Sequence, residues 1–298
     1  MSERQYLVAL YSYINFGPQR IKLLVEYFES FEKIWNASSE DLLATGLSQK
    51  IVSGFRRHKN DFDFDKYFSE LKKRSIKYIA YKDKSYPTNL VGLDYAPLVL
   101  YVRGNLRSSD SNAIAIVGTR RMTNYGREVA YSISSDLSKM GITIVSGLAL
   151  GIDAIAHRAC LDVGGRGIVV LASGLDQVTP LTNKWIADEI LEKDGAIISE
   201  YPLGYPVYKG NFINRNRIIS GLSKAVVVIE GLKKSGTLHT ASHAANQGKT
   251  VFAVPGQITS PTSGAPHFLL KRGAKVAFSA GDIINELGRE IKVREIKT

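Results

Sequence analysis

The sequence contains one cysteine, Cys160, and this scarcity excludes two kinds of stabilising site. A single thiol cannot form an internal disulfide, and it has no cysteine partner with which to hold a structural zinc ion. Cys160 lies within an apolar pattern of helical spacing, so we expect it in the hydrophobic core. The sequence predicts no metal site and no cofactor.

Long hydrophobic runs are also missing. No apolar stretch approaches the ~18 residues that a membrane-spanning helix requires. Glu3 interrupts the start of the chain, where a signal peptide would have a basic and then an apolar segment. We therefore expect a cytoplasmic protein with no membrane partner.

Acidic residues are scarce relative to basic ones. The chain of 298 residues carries 39 Lys and Arg against 28 Asp and Glu, which gives a formal net charge of +11. An excess of this size favours a polyanionic partner such as nucleic acid. The hydrophobic fraction of 44% is sufficient for a full core, so the charge is carried by an ordinary globular protein.

The first part of the chain has helical periodicity, and we assign residues 1–78 to a small all-helical domain. Apolar residues recur at three- and four-residue spacing from Tyr6 to about Tyr78, without a clear strand. Two short segments, Phe16–Gln19 and Thr45–Ser48, are typical of hairpins between helices, and such hairpins can offer backbone N–H groups to phosphate. Basic and acidic residues are nearly balanced here, so an interaction module or a structural cap explains this region at least as well as a DNA contact.

The rest of the chain alternates Val- and Ile-rich runs with helical stretches, which predicts an α/β fold with a doubly wound, mostly parallel sheet. We assign residues 79–112 to a connector with an edge-strand extension, 113–288 to the main sheet domain and 289–298 to a charged tail. The expected strands are Leu98–Val102, Ala113–Val117, Ile142–Val145, Ile168–Ala172, Ala196–Ser199, Ala225–Ile229, Val251–Val254 and Lys275–Phe278.

Three loops follow the predicted strands, at the sheet edge where ligands of parallel sheets bind. The first is Gly118–Arg121, in a stretch without acidic residues; the second runs from Ser146 and Gly147 to Asp153; the third contains Ser235, Gly236 and Thr237. Each leads into a helix, and glycine-rich turns at helix N-termini attract phosphate. The sequence therefore predicts a phosphate-binding pocket.

The stretch from Tyr201 to Ile229 contains no acidic residue and mixes cations with aromatic residues. Single-stranded nucleic acids are bound by basic grooves with aromatic platforms for their bases. The alternative is that the aromatic side chains are core residues under a long loop. The residues concerned are Lys209, Arg215, Arg217, Lys224, Tyr205, Tyr208 and Phe212.

The sequence gives little support to an enzyme. The first loop lacks the G-x-G-x-x-G fingerprint of dinucleotide binding, and Thr237 stands where a P-loop would have its lysine. Asp153 and His157 lie four residues apart on one helix and could form an acid–base pair. Asp153 more simply complements the helix dipole at that position. No catalytic residue is predicted.

The sequence resembles the DNA-processing protein A family, known as DprA or Smf, whose members take part in natural transformation. The motifs occur in family order between Ala113 and about Leu287, while the helical start resembles the family's sterile-alpha-motif-like domain, of helix-hairpin-helix type, more weakly. The motifs are I-V-G-T-R from Ile116, S-G-L-A-L-G-I-D-A-I-A-H from Ser146, F-I-N-R-N-R-I-I-S-G-L-S from Phe212, S-G-T-L-H-T-A from Ser235 and F-A-V-P-G from Phe252.

The resemblance implies a Rossmann-like domain that binds and protects single-stranded DNA, forms a homodimer and helps to load the RecA recombinase, without enzymatic activity. In the family's pocket, Lys209 would meet phosphate, Phe212 would stack on a base and Asn216 would hold the loop or contact DNA. Two departures from the family pattern, Ile213 and His239, could alter DNA preference. The full set of implied DNA-binding residues is Arg120, Ser146, Gly147, Lys209, Phe212, Arg215, Asn216, Arg217, Ser235, Gly236 and Thr237.

One enzymatic alternative remains at this point. Phosphoribohydrolases of the LOG type have a similar domain and use glycine loops at strand ends to hold a nucleotide phosphate. Their motif P-G-G-x-G-T-x-x-E is absent here, and the residues after Gly236 and Thr237 supply no glutamate at the required place. A nucleotide hydrolase is the second hypothesis.

Overall fold

The N-terminal part of the protein is helical, as predicted, in a computed structural model that describes residues 1–293. Several of these helices begin at serine caps: Ser2 and Gln5 form a capping box, and so do Ser38 and Asp41, each pairing a cap side chain with backbone N–H groups that have no partner within the helix. The helices are α1 (Glu3–Tyr11), α2 (Pro18–Phe28), α3 (Phe31–Asn36), α4 (Ser39–Ala44), α5 (Gln49–Asp61) and α6 (Phe64–Lys73).

A nine-stranded sheet follows, in the spatial order β1-β2-β6-β5-β4-β3-β7-β8-β9. Strands β3 to β7 are buried along their whole length, as expected of a parallel sheet that is covered on both faces. The strands are β1 (Lys77–Ala80), β2 (Val99–Gly104), β3 (Ala113–Val117), β4 (Thr143–Ser146), β5 (Gly167–Val170), β6 (Ala196–Ser199), β7 (Ala225–Val228), β8 (Thr250–Ala253) and β9 (Lys275–Val276).

Helices connect the parallel strands and cover the sheet. Neighbouring strands from β6 through β9 in the spatial order are parallel, so the doubly wound, Rossmann-like fold is confirmed. The helices are α7 (Asn124–Lys139), α8 (Ile152–Asp162), α9 (Lys184–Glu192), α10 (Lys209–Leu222), α11 (Gly236–Asn246), α12 (Gly264–Leu270) and α13 (Ala280–Leu287).

Strand β1 was not predicted from the sequence. It begins at Lys77, inside the segment predicted to be entirely helical, and pairs antiparallel with β2 through Ile79 and Leu100. Strand β2 in turn pairs antiparallel with β6, where Val102 lies opposite Ile198. Strand β1 has only four residues and a mixed burial pattern, so it offers little periodicity for sequence reasoning.

The helical region and the sheet share one continuous hydrophobic core. Phe55 and Trp35 of the helices belong to the same buried cluster as Tyr101 of β2 and Val169 of β5. The Tyr67 hydroxyl, on α6, donates a hydrogen bond of 2.9 Å to the Tyr101 hydroxyl. The helices of residues 1–78 therefore pack on the sheet as part of one body.

The end of the described chain is attached to the sheet domain. Ile291 is buried, the backbone N–H of Lys292 donates to Asn112 Oδ1 at 2.8 Å, and Asn112 Nδ2 donates in return to the Lys292 carbonyl. The predicted charged tail, 289–298, is thus packed over its first residues, and 294–298 lie outside the described residues.

Cys160 is buried, as predicted, and burial raises the pKa of its thiol to about 11. Among residues 1–293, no cluster of three or more His, Cys, Asp or Glu side chains is arranged to hold a metal ion. None of the helices in that range is long and apolar enough to cross a bilayer.

Candidate nucleic-acid interface

A cavity of about 360 Å³ opens at the carboxyl ends of the central strands, between the first turns of α10 and α11. Strand β3 has β4 on one side and β7 on the other, so the chain winds away from this point in both directions. Open α/β sheets bind their ligands at such a switch point. The lining residues are Val117, Gly118, Thr119, Arg120, Arg121, Ala149, Asp153, Phe212, Ile213, Arg215, Asn216, Ile219, Leu232, Lys234, Ser235, Gly236, Thr237 and Thr240.

The loop after β3 presents Arg120 to this cavity. Both backbone polar groups of Thr119 are hydrogen-bonded, which fixes the loop. Its N–H donates to the Glu230 carbonyl at 2.8 Å, and its carbonyl accepts from the N–H of Ile152 at 3.2 Å. Gly118 packs so closely on Ile152 that a Cβ atom would come within 2.5 Å of that side chain. The backbone is therefore rigid where the Arg120 side chain leaves it, and that side chain is exposed.

Arg120 and Phe212 meet across the mouth of the cavity. The guanidinium carbon of Arg120 lies 5.0 Å from the centroid of the Phe212 ring, within the range of a cation–π contact. Phe212 is only partly buried, and Ile213 beside it is 42% exposed. Phe212 is therefore not among the fully buried core residues, and Ile213 lines the same cavity.

Arg215 forms part of the cavity wall but is 4% exposed. Its guanidinium donates to the Gly147 carbonyl at 2.9 Å and to the Val170 carbonyl, so α10 is tied to the ends of β4 and β5. Burial, together with the nearby positive charge of Arg120, lowers the pKa of Arg215 to about 10, against an opposing effect of Asp153. The side chain supplies a fixed positive charge from beneath the cavity.

The structure corrects the expected place of the Ser146–Gly147 turn. Ser146 is fully buried and its hydroxyl donates to the Ile116 carbonyl at 2.6 Å, while the N–H of Gly147 donates to Asp153 Oδ2 at 3.2 Å. Neither polar group faces the cavity. Gly147 instead leaves room for Arg215: a Cβ atom here would lie 2.5 Å from its guanidinium.

Arg217 is also not where the resemblance implies. It lies on the other side of α10, in a buried ion pair with Glu200, and Glu200 accepts a second hydrogen bond of 3.1 Å from the Tyr11 hydroxyl. Asn216 does border the cavity: its Nδ2 donates to the Gly236 carbonyl of α11 at 3.4 Å, and its Oδ1 accepts from Arg215, its neighbour on α10, at 3.3 Å. Asn216 therefore holds α10 against α11.

The N-terminus of α11 completes the site. Ser235 is the N-cap residue, yet its side chain makes no capping bond, and its buried hydroxyl oxygen has no hydrogen-bond partner among the described residues. The first N–H groups of a helix, here those of Gly236 and Thr237, also have no partner within the helix. Together with the helix dipole they form a site for an anion.

Two further cations, which the family resemblance did not imply, border the cavity. Arg121 follows Arg120 in the first loop, and Lys234 directly precedes Ser235; both are exposed. Each is the sequence neighbour of a residue in the implied DNA-binding set, and this is the feature of the sequence that could have identified it. Lys209 is exposed at the first residue of α10, outside the cavity lining and without an acidic partner in residues 1–293.

Asp153 and His157 do not form a catalytic pair. His157 is completely buried and lies away from the cavity, with no hydrogen-bond partner for either ring nitrogen within the described chain. Asp153 is 6% exposed in the first turn of α8, where its carboxylate accepts from Gly147. Its role at the helix start is the simpler one that the sequence favours.

The model of the family described as DNA recombination-mediator protein A matches residues 77–288. Protein Smf of Synechocystis is 37% identical over 295 residues, which cover 96% of this chain and 73% of that protein. The solved structure of DNA processing protein A from Streptococcus pneumoniae superposes with a TM-score of 0.79 at 32% identity, and covers 95% of this chain and 97% of that one.

A second solved structure concerns the unique single-stranded DNA binding mode of DNA processing protein A from Helicobacter pylori. It superposes with a TM-score of 0.64 at 31% identity, and covers 72% of this chain and 97% of that one. The family model matches more than half of the chain, and the structural agreement extends over the helical region as well as the sheet. The chain therefore belongs to the DNA recombination-mediator protein A family, the DprA/Smf proteins.

Proposed function

We propose that this protein binds single-stranded DNA in the cavity at the carboxyl ends of β3, β4 and β7. The observation that carries the proposal is the pair formed by exposed Arg120 and partly exposed Phe212, opposite the uncapped N-terminus of α11. One wall offers a cation and an aromatic face, and the other offers an anion site. A nucleotide unit presents a phosphate and a flat base to match them.

The roles divide by chemistry. Phosphate would be held by Arg120, Arg121, Lys234 and the first N–H groups of α11, with Lys209 at the rim and Arg215 contributing charge from below. The base would stack on Phe212, a contact worth ~1–3 kcal/mol that does not depend on base identity. Such a site binds single strands of any sequence. A duplex hides its base faces and can use only the phosphate contacts.

The wider role follows from the family. We infer that the bound single strand is protected and passed to the RecA recombinase, and that the protein acts as a homodimer through the sheet domain. Membership of a recombination-mediator family supports the transfer of DNA to a recombinase.

Binding without catalysis is part of the proposal. Asp153, the one acidic residue that lines the cavity within residues 1–293, is buried and already accepts a hydrogen bond from Gly147. The glutamate of the LOG-type motif has no counterpart after Gly236 and Thr237, and Asp153 is only 6% exposed. Incubation with nucleoside monophosphates should therefore release no free base, as measured by chromatography.

The test is equilibrium binding to labelled single-stranded and duplex oligonucleotides across a salt series, with no nucleotide added. We expect a clear preference for single strands and a log–log salt slope of about −0.7 per neutralised phosphate. Equal, weak binding to both forms would reduce the site to general polyanion attraction and contradict the proposal.

A further inference from the structure

Helix α10 borders a second depression on the side opposite the proposed DNA cavity. This groove, of about 270 Å³, lies between the first turns of α10, the loop after β6 and the hairpin that joins α1 to α2. Its walls include Tyr13, Ile14, Pro18, Tyr95, Tyr205 and Asn214. We call it the hairpin groove. Its lining includes Phe16, Gly17 and Pro18 of the predicted hairpin.

A series of aromatic rings leads from the hairpin groove to the start of α10. Tyr201 is buried at the inner end, and its ring centroid lies 4.7 Å from that of Tyr205 with the planes 31° apart. Tyr205 is half-buried and contacts Tyr208 edge to face at 6.3 Å. Tyr208, the N-cap residue of α10, is 52% exposed and directly precedes Lys209. Tyr208 and Lys209 thus lie at the N-terminus of α10, and the residues that follow them in its first turn line both depressions.

The charge of the hairpin groove is compatible with a phosphate backbone. The carboxylate of Glu200 reaches it but is neutralised by the ion pair with Arg217. Arg20 and Lys22 stand on the first turns of α2 and are partly exposed. The N-cap of that helix is Gly17, which offers no side-chain cap. The two charged residues of the lining, Glu200 and Arg217, thus cancel each other, while exposed Asp94 lies beside Tyr95, and the groove offers aromatic faces at Tyr95, which is 63% exposed, and at Tyr205.

We propose that the hairpin groove holds the continuation of the same single strand after it leaves the first cavity and crosses the N-terminus of α10. This inference rests on the proposed function. Lys209 would contact the phosphate at the crossing, and Tyr95 and Tyr205 would receive bases beyond it. The first turn of α10 borders both depressions, and the groove offers aromatic faces for bases rather than cations for carboxylates, so a nucleic acid strand fits it better than an acidic peptide.

The experiment compares oligothymidines of about 5 and about 20 nucleotides, one near the lower end of typical single-strand site sizes and one above their upper end. Two variants alter the groove: Tyr95→Ala removes an exposed ring, and Asn214→Glu places a negative charge on its exposed wall. Each variant has a matched control outside the groove. Tyr27→Ala removes an exposed tyrosine ring on α2, and Ser132→Glu adds a negative charge on the exposed face of α7. Fluorescence anisotropy gives each Kd, and thermal melting verifies the fold.

We expect both groove variants to weaken binding of the longer strand about fivefold or more: Tyr95→Ala by the loss of one stacked base, and Asn214→Glu by repulsion of the phosphates. Binding of the short strand and both controls should stay within about twofold of the wild type. If the groove variants leave the Kd of both oligonucleotides unchanged, or raise both equally, the groove does not hold the strand. The proposal for the first cavity would still stand. If the wild type itself binds no single strand and Arg120→Ala has no effect, the proposed function fails as well.

Discussion

The Arg120 guanidinium lies over the Phe212 ring at 5.0 Å, and each residue restricts the freedom of the other before any ligand arrives. Arg120 comes from the loop after β3, and Phe212 from the first turn of α10. The contact aligns a cation and an aromatic face at one opening. A ligand that uses both therefore meets a partly organised site, which lowers the entropic cost of binding.

The first prediction concerns Arg120. Replacing it with alanine should weaken binding to single strands of every sequence and make the log–log salt slope shallower by about 0.7, since one phosphate is no longer neutralised. The measurement is Kd across a salt series. Arg127→Ala, an exposed arginine on α7 outside the cavity, is the matched control and should leave the slope unchanged. Equal effects of the two variants would assign the loss to net charge alone.

The second prediction concerns Phe212. Phe212→Leu keeps an apolar side chain but removes the flat face, so affinity should fall by ~1–3 kcal/mol while the salt slope stays the same. Because Phe212 is only partly buried, the free energy of unfolding should fall by much less than the ~3–5 kcal/mol typical of a large core deletion. Urea unfolding beside each binding assay separates the effects. A loss of stability without a loss of binding would show a purely structural ring.

Much of the fold was predictable because buried parallel strands leave a continuous apolar signature. Runs such as Ala113–Val117 and Ala225–Ile229 match the observed strands to within a residue or so. Strand β1 was not predicted because it is defined by its pairing with β2, which begins only after a connector, at Val99. A four-residue edge strand has no pattern of its own to distinguish it from the end of a helix.

The candidate site was predictable in position but less so in the direction of individual side chains. Arg215 and Arg217 are close in sequence, so both were expected to line the DNA-binding groove. Residues two positions apart on a helix lie on different faces. Arg215 therefore faces the strand ends, and Arg217 faces Glu200. The partner of Arg217 lies in a separate loop, and only the folded chain brings the two together. The same limit applies to Ser146, whose hydroxyl binds a neighbouring strand.

The third prediction concerns the buried pair of Arg217 and Glu200. Glu200→Gln should destabilise the protein by about 3–5 kcal/mol, because it leaves the Arg217 charge buried without its counterion. Adding Arg217→Met should recover part of that loss, since the uncompensated charge is then removed. A double-mutant cycle from urea unfolding measures the coupling. Strictly additive losses would show that the two side chains do not depend on each other.

The last prediction concerns His157, which is fully buried without a hydrogen-bond partner in the described part of the chain. Burial lowers its pKa from 6.5 to about 4. Between those values the unfolded chain binds a proton that the folded protein excludes, so stability is lost as pH falls from 6.5 towards 4. The contribution amounts to about 2 kcal/mol between pH 7 and pH 5.

His157→Leu should remove this part of the pH dependence, because leucine takes up no proton in either state. Urea unfolding at pH 7 and pH 5 checks it, with exposed His239→Leu as the matched control, which should keep the wild-type fall in stability. Asp153, whose pKa burial raises, contributes with the opposite sign, but it is present in every protein compared and cancels in the difference. An equal fall in stability for wild type and His157→Leu would mean that His157 takes up its proton without unfolding. Its ring would then have to gain access to water in the folded state, most directly by separation of α8 from the sheet.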